Sequence, residues 1–259
     1  MTGIADFFSL HRKFLIYNLV IRNLKVRYRK SVFGFLWTLL VPAAMALVYV
    51  FIFKNIARVG GENYALFVVV SIVPWTFFST ALLTGTESLI SNFNILSKVP
   101  ISVSAFPFAE TCSAFMNLIF SLPILVIAMA YFGVFPMQQW LILPLIFALL
   151  FIQTYALSFI LSVSNVYLRD VRHLVSILVQ IWMYMTPVLY TKDLIPPEYL
   201  KWFYLNPLFF VFDSLHGAAI QGQWPTQLAL VHMISWSFLL IGIAYVVNLK
   251  LKYRVVEKI

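Results

Sequence analysis

A long apolar run follows a dense basic segment near the start of the chain. Residues 32–53 contain no charged side chain, and about 20 such residues are enough to cross a bilayer as a helix. Seven Lys and Arg residues precede the run: Arg12, Lys13, Arg22, Lys25, Arg27, Arg29 and Lys30. Because basic segments stay on the cytoplasmic side of a membrane, we expect the first span to leave the cytoplasm at this point.

The composition indicates that lipid surrounds most of the chain. Of the 259 residues, 62% are hydrophobic and 10% are charged, whereas soluble domains carry about 25% charged residues. The net charge of +9 comes from basic residues at the ends of apolar runs. Anionic lipid headgroups, rather than nucleic acid, are therefore the expected counter-charge.

Uncharged runs and the breaks between them predict an all-α membrane protein with six spans. The predicted spans are residues 32–53, 64–86, 104–130, 140–164, 174–190 and 228–249. With both termini in the cytoplasm, the inner segments hold fourteen Lys and Arg and the outer segments hold four, as positive-inside orientation requires. Residues 1–31 then form a cytoplasmic segment, residues 32–249 the membrane domain, and residues 250–259 a basic cytoplasmic tail.

Two segments do not fit simple spans. Apolar residues at positions 7, 10, 14, 17, 21, 24 and 28 predict an amphipathic helix at the cytoplasmic interface, and a helix packed on protein is the alternative. Between residues 191 and 227, short apolar pieces stand between Pro and Gly breaks. We expect a re-entrant helical hairpin there, before the last span, and a folded external cap is the alternative.

The sequence lacks the patterns that would supply energy or catalysis. No Gly is followed by Lys, so no phosphate-binding loop of the P-loop type is predicted. The His residues lie in different segments and the acids are scattered singly, so we predict neither a metal site nor a catalytic acid pair. Glu110 is a candidate ion-coupling carboxylate, but an interfacial acid near Lys98 is the simpler interpretation. We therefore expect no enzyme activity, no cofactor in this chain, and a partner that supplies energy from the cytoplasm.

Five motifs occur in order along the chain. Residues 22–37 read RNLKVRYRKSVFGFLW and precede Pro42; NFNILSKVP follows at 92–100 with Pro107, then YLRDV at 167–171, TPVLY at 186–190 and NPL at 206–208. Together they resemble the transmembrane subunits of type-2 ABC exporters, in the branch that moves polysaccharides. The resemblance implies a homodimer of six-span subunits in the inner membrane, with two copies of a separate ATPase that holds ATP and Mg²⁺. It also implies export of a lipid-linked polysaccharide, with O antigen first and capsule or teichoic acid as alternatives.

The resemblance assigns ATPase contact to the two cytoplasmic loops. The candidate residues are Asn92, Phe93, Asn94, Ile95, Leu96, Ser97, Lys98, Arg169 and Asp170. A short amphipathic helix in the first loop would suit a groove of the ATPase, and a plain connecting loop is the alternative. Arg169 and Asp170 would contact the ATPase or form a local ion pair.

Basic and aromatic residues are candidates for contact with the substrate. Arg22, Lys25, Arg27, Arg29 and Lys30 would hold the pyrophosphate of a lipid-linked sugar, or would serve only as cytoplasmic anchors. Tyr49, Trp182, Tyr184 and Tyr190 would line a channel in which sugar rings slide over aromatic faces, or would pack in the membrane.

Three other functions are weighed against polysaccharide export. The same architecture would serve a drug or small-lipid exporter, and only the substrate would differ. A membrane-embedded glycan transferase would need a large external domain and clustered acids or Arg. A passive channel would conduct without ATP.

Overall fold

The structure is a computed structural model that describes residues 10–28, 33–52, 64–98, 101–135 and 137–258. In these ranges the regular elements are helices and no strand occurs. The α-helices, in chain order, are α1 (Leu10–Tyr28), α2 (Trp37–Val50), α3 (Tyr64–Ser91), α4 (Phe93–Leu96), α5 (Ala105–Tyr131), α6 (Leu143–Tyr167), α7 (Val171–Tyr184), α8 (Pro197–Phe203), α9 (Phe209–His216) and α10 (Gln227–Lys258). Short 3-10 turns precede α2, α6 and α8, and α9 continues into a π-helical turn, Gly217–Gln221.

Four helices in the described ranges are long and apolar enough to cross a membrane. They are α3, α5, α6 with its preceding turn, and α10, and they confirm four of the predicted spans as apolar helices of sufficient length. The predicted first and fifth spans appear as α2 and α7, each of 14 residues. At 1.5 Å per residue such a helix covers about 21 Å, less than the roughly 30 Å of a hydrocarbon core.

The early end of α7 has a local cause. Pro187 lacks a backbone N–H and disfavours the helical conformation of the residue before it, Thr186. The chain leaves the helix at Met185 and continues towards α8. The predicted fifth span, residues 174–190, is therefore a short helix followed by a non-helical segment.

α3 lies at the centre of the described bundle. It packs against α2, α5, α6, α7 and α9, and Leu66, Ile72, Phe78 and Leu89 are completely buried at successive levels along it. A helix that is apolar all round is expected to be enclosed by other helices. We call the end of the bundle that carries α4 the predicted inner end and the opposite end the predicted outer end.

α1 packs on α5 through the face opposite to its predicted apolar stripe. Leu19 is buried with Phe106 of α5, and Leu15 is half-buried beside it. Phe14 and Tyr17, which belong to the stripe, are 69% and 61% exposed. The helix therefore contacts protein on one side and leaves Phe14 and Tyr17 of its apolar stripe on the surface, while Ile21 and Leu24 of the stripe are half-buried.

The segment between α7 and α10 folds around a buried α9. Phe209 and Phe212 are completely buried because α9 lies between α3, α6 and α10. Gly222 ends the π-helical turn at a φ of 64°, where an added Cβ would lie 2.9 Å from Met137 Sδ. Within this segment α9 is enclosed by protein, whereas most of α8 is exposed; the re-entrant hairpin stays a prediction.

Gly85 allows α3 and α6 to approach closely, and its substitution gives a test of this packing. A Cβ at position 85 would lie 1.7 Å from Ser158 Oγ and 3.0 Å from Ser158 Cβ. We expect Gly85→Val to lower stability by about 1–3 kcal/mol through overpacking, measured as thermal unfolding of the purified protein in detergent. Gly85→Val with Ser158→Gly should recover part of the loss; no recovery in the double variant would contradict this contact.

Candidate functional site

The predicted first inner loop forms α4 directly after α3. Asn92, at the start of the loop, is buried and donates from its amide to Ser88 O of α3 at 2.8 Å. Leu96 is buried, while Phe93 and Ile95 are half-buried. The exposed side chains of this loop are Asn94, Ser97 and Lys98. The loop therefore has one face fixed to the subunit and one polar face that is accessible.

A polar network joins α1 to this loop. Arg22 Nη2 donates to Asn92 Oδ1 at 2.6 Å and to Asn23 Oδ1 at 3.0 Å. Asn23 Nδ2 donates to Glu110 Oε1 of α5 at 2.8 Å. Glu110, which was expected near Lys98, is thus hydrogen-bonded to α1. We call Arg22, Asn23, Asn92 and Glu110 the α1 network.

The predicted headgroup residues do not share one environment. Nη2 and Nε of Arg22 are both engaged inside the subunit, whereas Lys25 is exposed. Arg27 lies in the last turn of α1. Arg29 and Lys30 lie outside the described residues.

The predicted second inner loop is anchored to the same end of α3. Arg172 Nε lies 2.7 Å from Glu87 Oε1, and Glu87 is the single charged residue of α3. Asn165 Nδ2 donates to Thr86 O at 3.1 Å, and Asn165 Oδ1 accepts from Arg172 N at 3.2 Å. Successive residues of α3 therefore hold both loops.

Arg169 and Asp170 lie at the turn before α7, and both are exposed. Among the described residues they form no ion pair with each other. The basic residue of this loop that does form an ion pair is Arg172, with Glu87. Sequence reasoning missed Arg172, Glu87, Asn165 and Asn23. The sequence does contain a signal for Glu87. It is the single charge near the end of an apolar helix, and such a charge needs a partner.

Three of the predicted channel aromatics meet near the predicted outer ends of α2 and α7. Tyr190 donates from its hydroxyl to Tyr184 O at 2.8 Å, and the hydroxyl of Tyr49 lies near that of Tyr184. Tyr49 Oη also lies 3.9 Å from Met183 Sδ. Tyr184 is 57% exposed. We call Tyr49, Tyr184 and Tyr190 the tyrosine cluster.

Trp182, the fourth predicted channel aromatic, makes packing contacts on another side of α7. Its ring meets Phe78 of α3 edge-on, with centroids 5.4 Å apart. Its indole Nε1 donates to Asn206 Oδ1 at 2.8 Å. Trp182 is thus separate from the tyrosine cluster.

Asn206 joins two motifs that lie apart in the sequence. Its amide donates to Met185 O and to Thr186 Oγ1, both at 2.9 Å, and these residues follow the end of α7. Its Oδ1 accepts from Leu208 N at 3.0 Å as well as from Trp182. One buried amide therefore bonds both residues that follow the end of α7 before Pro187.

α7 carries three distinct faces. Val175, Val179 and Met183 are buried within the subunit. A second face is apolar and 50–57% exposed, and it consists of Leu174, Ile177, Leu178 and Ile181. A third face is exposed and polar, and it consists of His173, Ser176, Gln180 and Tyr184. We call this third face the α7 polar stripe.

Several long apolar helices and fixed loops at one end make this a multi-pass membrane protein. Residues 15–219 match the ABC-2 type transporter family. The chain belongs to that family, and the resemblance seen in the sequence is confirmed.

Similar proteins extend over nearly the whole chain. It is 31% identical over 238 residues to the O-antigen export system permease protein RfbA of Klebsiella pneumoniae, covering 91% of each chain. Identity to the protein of the same name from Myxococcus xanthus is 34% over 233 residues, covering 89% of each. Identity to the polysialic acid transport protein KpsM of Escherichia coli is 22% over 241 residues, covering 90% of this chain and 92% of that one.

Removal of the Asn206 side-chain amide tests its role at the end of α7. Asn206→Leu would leave Met185 O, Thr186 Oγ1 and Trp182 Nε1 without this partner, and one buried unsatisfied group costs about 1–3 kcal/mol. We expect a clear drop in the thermal unfolding midpoint in detergent. Trp182→Phe removes one of these bonds and should cost less; equal losses in the two variants would contradict the arrangement.

Proposed function

We propose that this chain is the channel-forming membrane subunit of an ATP-driven exporter for a lipid-linked polysaccharide, with O antigen as the first candidate. It acts in the cytoplasmic membrane as a homodimer with two copies of a separate ATPase. The names of the relatives support the substrate class, since they concern O-antigen export and polysialic acid transport. The α7 polar stripe is the observation that carries the proposal.

The α7 polar stripe needs a polar surrounding. Among the described residues, the Gln180 amide forms no hydrogen bond, and it is exposed in the middle of a 14-residue apolar helix. Burying an amide in hydrocarbon without a partner costs about 2–7 kcal/mol. Polar groups at membrane depth are tolerated where they face protein or a water-filled cavity. We therefore assign this face of α7 to the path of a hydrophilic polymer.

A second copy of the chain supplies the other wall of that path. The exposed apolar face of α7 adjoins its polar stripe. The apolar face would pack against the second copy, and the polar stripe would face water. Two copies related by a two-fold axis would bring the same surfaces together, as in most homodimers. The tyrosine cluster lies at the predicted outer end of this path and offers aromatic faces for sugar rings.

The membrane topology completes the proposal. α2 and α7, with their flanking segments, are the first and fifth of six spans, and both termini are cytoplasmic. α1 lies along the cytoplasmic interface with its exposed Phe14 and Tyr17 towards lipid. The burial of α9 between three helices supports a re-entrant hairpin, because non-spanning backbone at membrane depth must be enclosed by protein.

The ATPase binds at the inner loops. We assign its contact surface to the exposed side chains Asn94, Ser97, Lys98, Arg169 and Asp170, and ATP and Mg²⁺ belong to that partner. Because Arg22 bonds Asn92 directly, a displacement of α4 is transmitted to α1. Lys25, Arg27, Arg29 and Lys30 stay the candidates for the pyrophosphate of the lipid carrier, whereas Arg22 is assigned to the α1 network.

Reconstitution in proteoliposomes tests the function directly. We expect polymer to enter vesicles only when this chain, its ATPase partner and ATP are all present. Transport by this chain alone, or conduction without ATP, would overturn the proposal. Transport of small lipids or drugs but not of polymer would contradict the proposed substrate and leave the proposed architecture unchanged.

Cysteine labelling tests the path along α7. In a Cys112→Ala background, Gln180→Cys and Ser176→Cys should react with a charged maleimide at least about tenfold faster than Leu178→Cys, because thiols ionise in water and not in lipid. The measurement is labelling of the assembled complex in membranes. Equal labelling rates at positions 178 and 180 would contradict an aqueous path along this stripe.

The α1 network is tested with two asparagines of the same helix. Asn23→Ala removes the donor to Glu110 and an acceptor of Arg22, and hydrogen bonds to charged groups contribute about 1.5–3 kcal/mol. We expect export to fall about tenfold while the ATPase still copurifies. Asn18, which is exposed on α1, is the control, and Asn18→Ala should export normally. Normal export by Asn23→Ala would show that the network does not transmit motion.

A further inference from the structure

A cavity of about 300 Å³ lies at the predicted outer end, apart from the α7 polar stripe. Its walls come from the first turns of α3, the segment after Pro187, α9 and the π-helical turn. Its rim is polar and mainly exposed, and it carries Lys192, Asp193, Asp213, Gln221 and Gln223. We call this cavity the outer pocket.

The charges of the rim favour uncharged ligands. Lys192 Nζ lies 3.0 Å from Asp213 Oδ2, so the rim cation is already paired with a carboxylate. Asp193 adds a second carboxylate, and Gln221 and Gln223 add amides that both donate and accept. With Asp213 paired, the carboxylate of Asp193 leaves the rim with one net negative charge, which repels an anion.

The floor of the outer pocket is formed by two nearly buried rings that are held in place. His216 and Phe67 are 4% and 8% exposed, and their rings stack with centroids 3.7 Å apart. A hydrogen bond between His216 Nε2 and Ser71 Oγ fixes the imidazole to α3. Pro187 completes this apolar part of the lining.

The outer pocket directly adjoins the tyrosine cluster. Tyr190 of the cluster is followed by Thr191, which lines the pocket. Tyr64 donates from its hydroxyl to Leu189 O at 2.8 Å, and its ring stacks near that of Phe67 at 6.4 Å. The connecting segment is thus fixed to α3, between the cluster and the pocket.

We propose that the outer pocket is an exit subsite that binds a neutral sugar ring of the exported chain and disfavours acidic sugars. Sugar hydroxyls would donate to the carboxylates and exchange hydrogen bonds with the amides. The C–H face of the ring would lie on the apolar floor, as in sites that combine an apolar surface with a few placed polar groups. This inference rests on the proposed function and specifies its substrate class.

In vivo photo-crosslinking tests the subsite with the intact complex. A photo-reactive benzoyl-phenylalanine replaces Gln223 in cells that make and export the polymer, and adducts are detected as a glycan-positive shift of this chain. Gln227 is the matched control, because it is the same residue type, is exposed and does not line the pocket. The same photo-reactive residue in place of Tyr184, on the α7 polar stripe, tests separately whether polymer passes along α7.

The expected result is an adduct at position 223 at least fivefold stronger than at 227. It should disappear when polymer synthesis is blocked or when the partner ATPase is inactivated. An adduct at 184 without one at 223 would overturn the subsite and leave the exporter intact. No adduct at 184 or 223, with the complex assembled, would overturn the proposed path itself.

Two further results decide the origin and the charge of the ligand. An adduct at 223 that persists with an inactive ATPase would mean that the glycan comes from outside, and it would overturn an exit role. Sugar analysis of the adduct should give uncharged residues at the crosslink, and acidic residues there would overturn the charge argument. Asp193→Asn should lower the adduct yield at least threefold without changing the amount of the protein in the membrane.

Discussion

The cost of leaving a polar group unpaired in hydrocarbon governs this structure. Inside the bundle, hydroxyl side chains donate to carbonyl groups one turn earlier on their own helix, as Ser71, Thr86 and Thr154 do. Such bonds let polar residues lie in an apolar core at a small cost in free energy. Polar side chains that do not use this solution include Gln153, which donates to Met233 O of α10, Asn92 in a loop contact and Gln180 on the α7 polar stripe. The positions of the candidate sites follow from this constraint.

α3 connects the two ends of the molecule. Thr86 and Ser88 near its last turn accept hydrogen bonds from the two inner loops, and Glu87 between them holds Arg172. Near its first turns, Ser71 fixes His216 and Tyr64 fixes the segment before the tyrosine cluster. A helix held between several others is stiff, because close-packed interiors deform little. In the proposed function, motion at the ATPase surface would therefore reach the predicted exit through α3.

Sequence reasoning succeeded where apolar length decides the outcome and failed where contacts decide it. Four of the predicted spans are confirmed as apolar helices of sufficient length, because an apolar run of this length has few alternatives in lipid. For α1, spacing identified the apolar stripe but not the packed face, since Leu19 and the α1 network determine the docking on α5. Tyr49, Tyr184 and Tyr190 do meet, while Trp182 turns towards Phe78 and Asn206. No local sequence pattern distinguishes an aromatic residue of the tyrosine cluster from one that packs inside the subunit.

The sequence by itself determined that the chain is a helical membrane protein, because composition and the length of the apolar runs are properties read residue by residue. Its five motifs carried the resemblance to the transporter family, and the match over residues 15–219 confirms that family. Only the tertiary structure decided that Arg22 bonds Asn92, that Asn206 closes the end of α7, and that residues 67, 193, 213 and 223 share one pocket. Such contacts join residues far apart in the chain, so they depend on how whole helices pack.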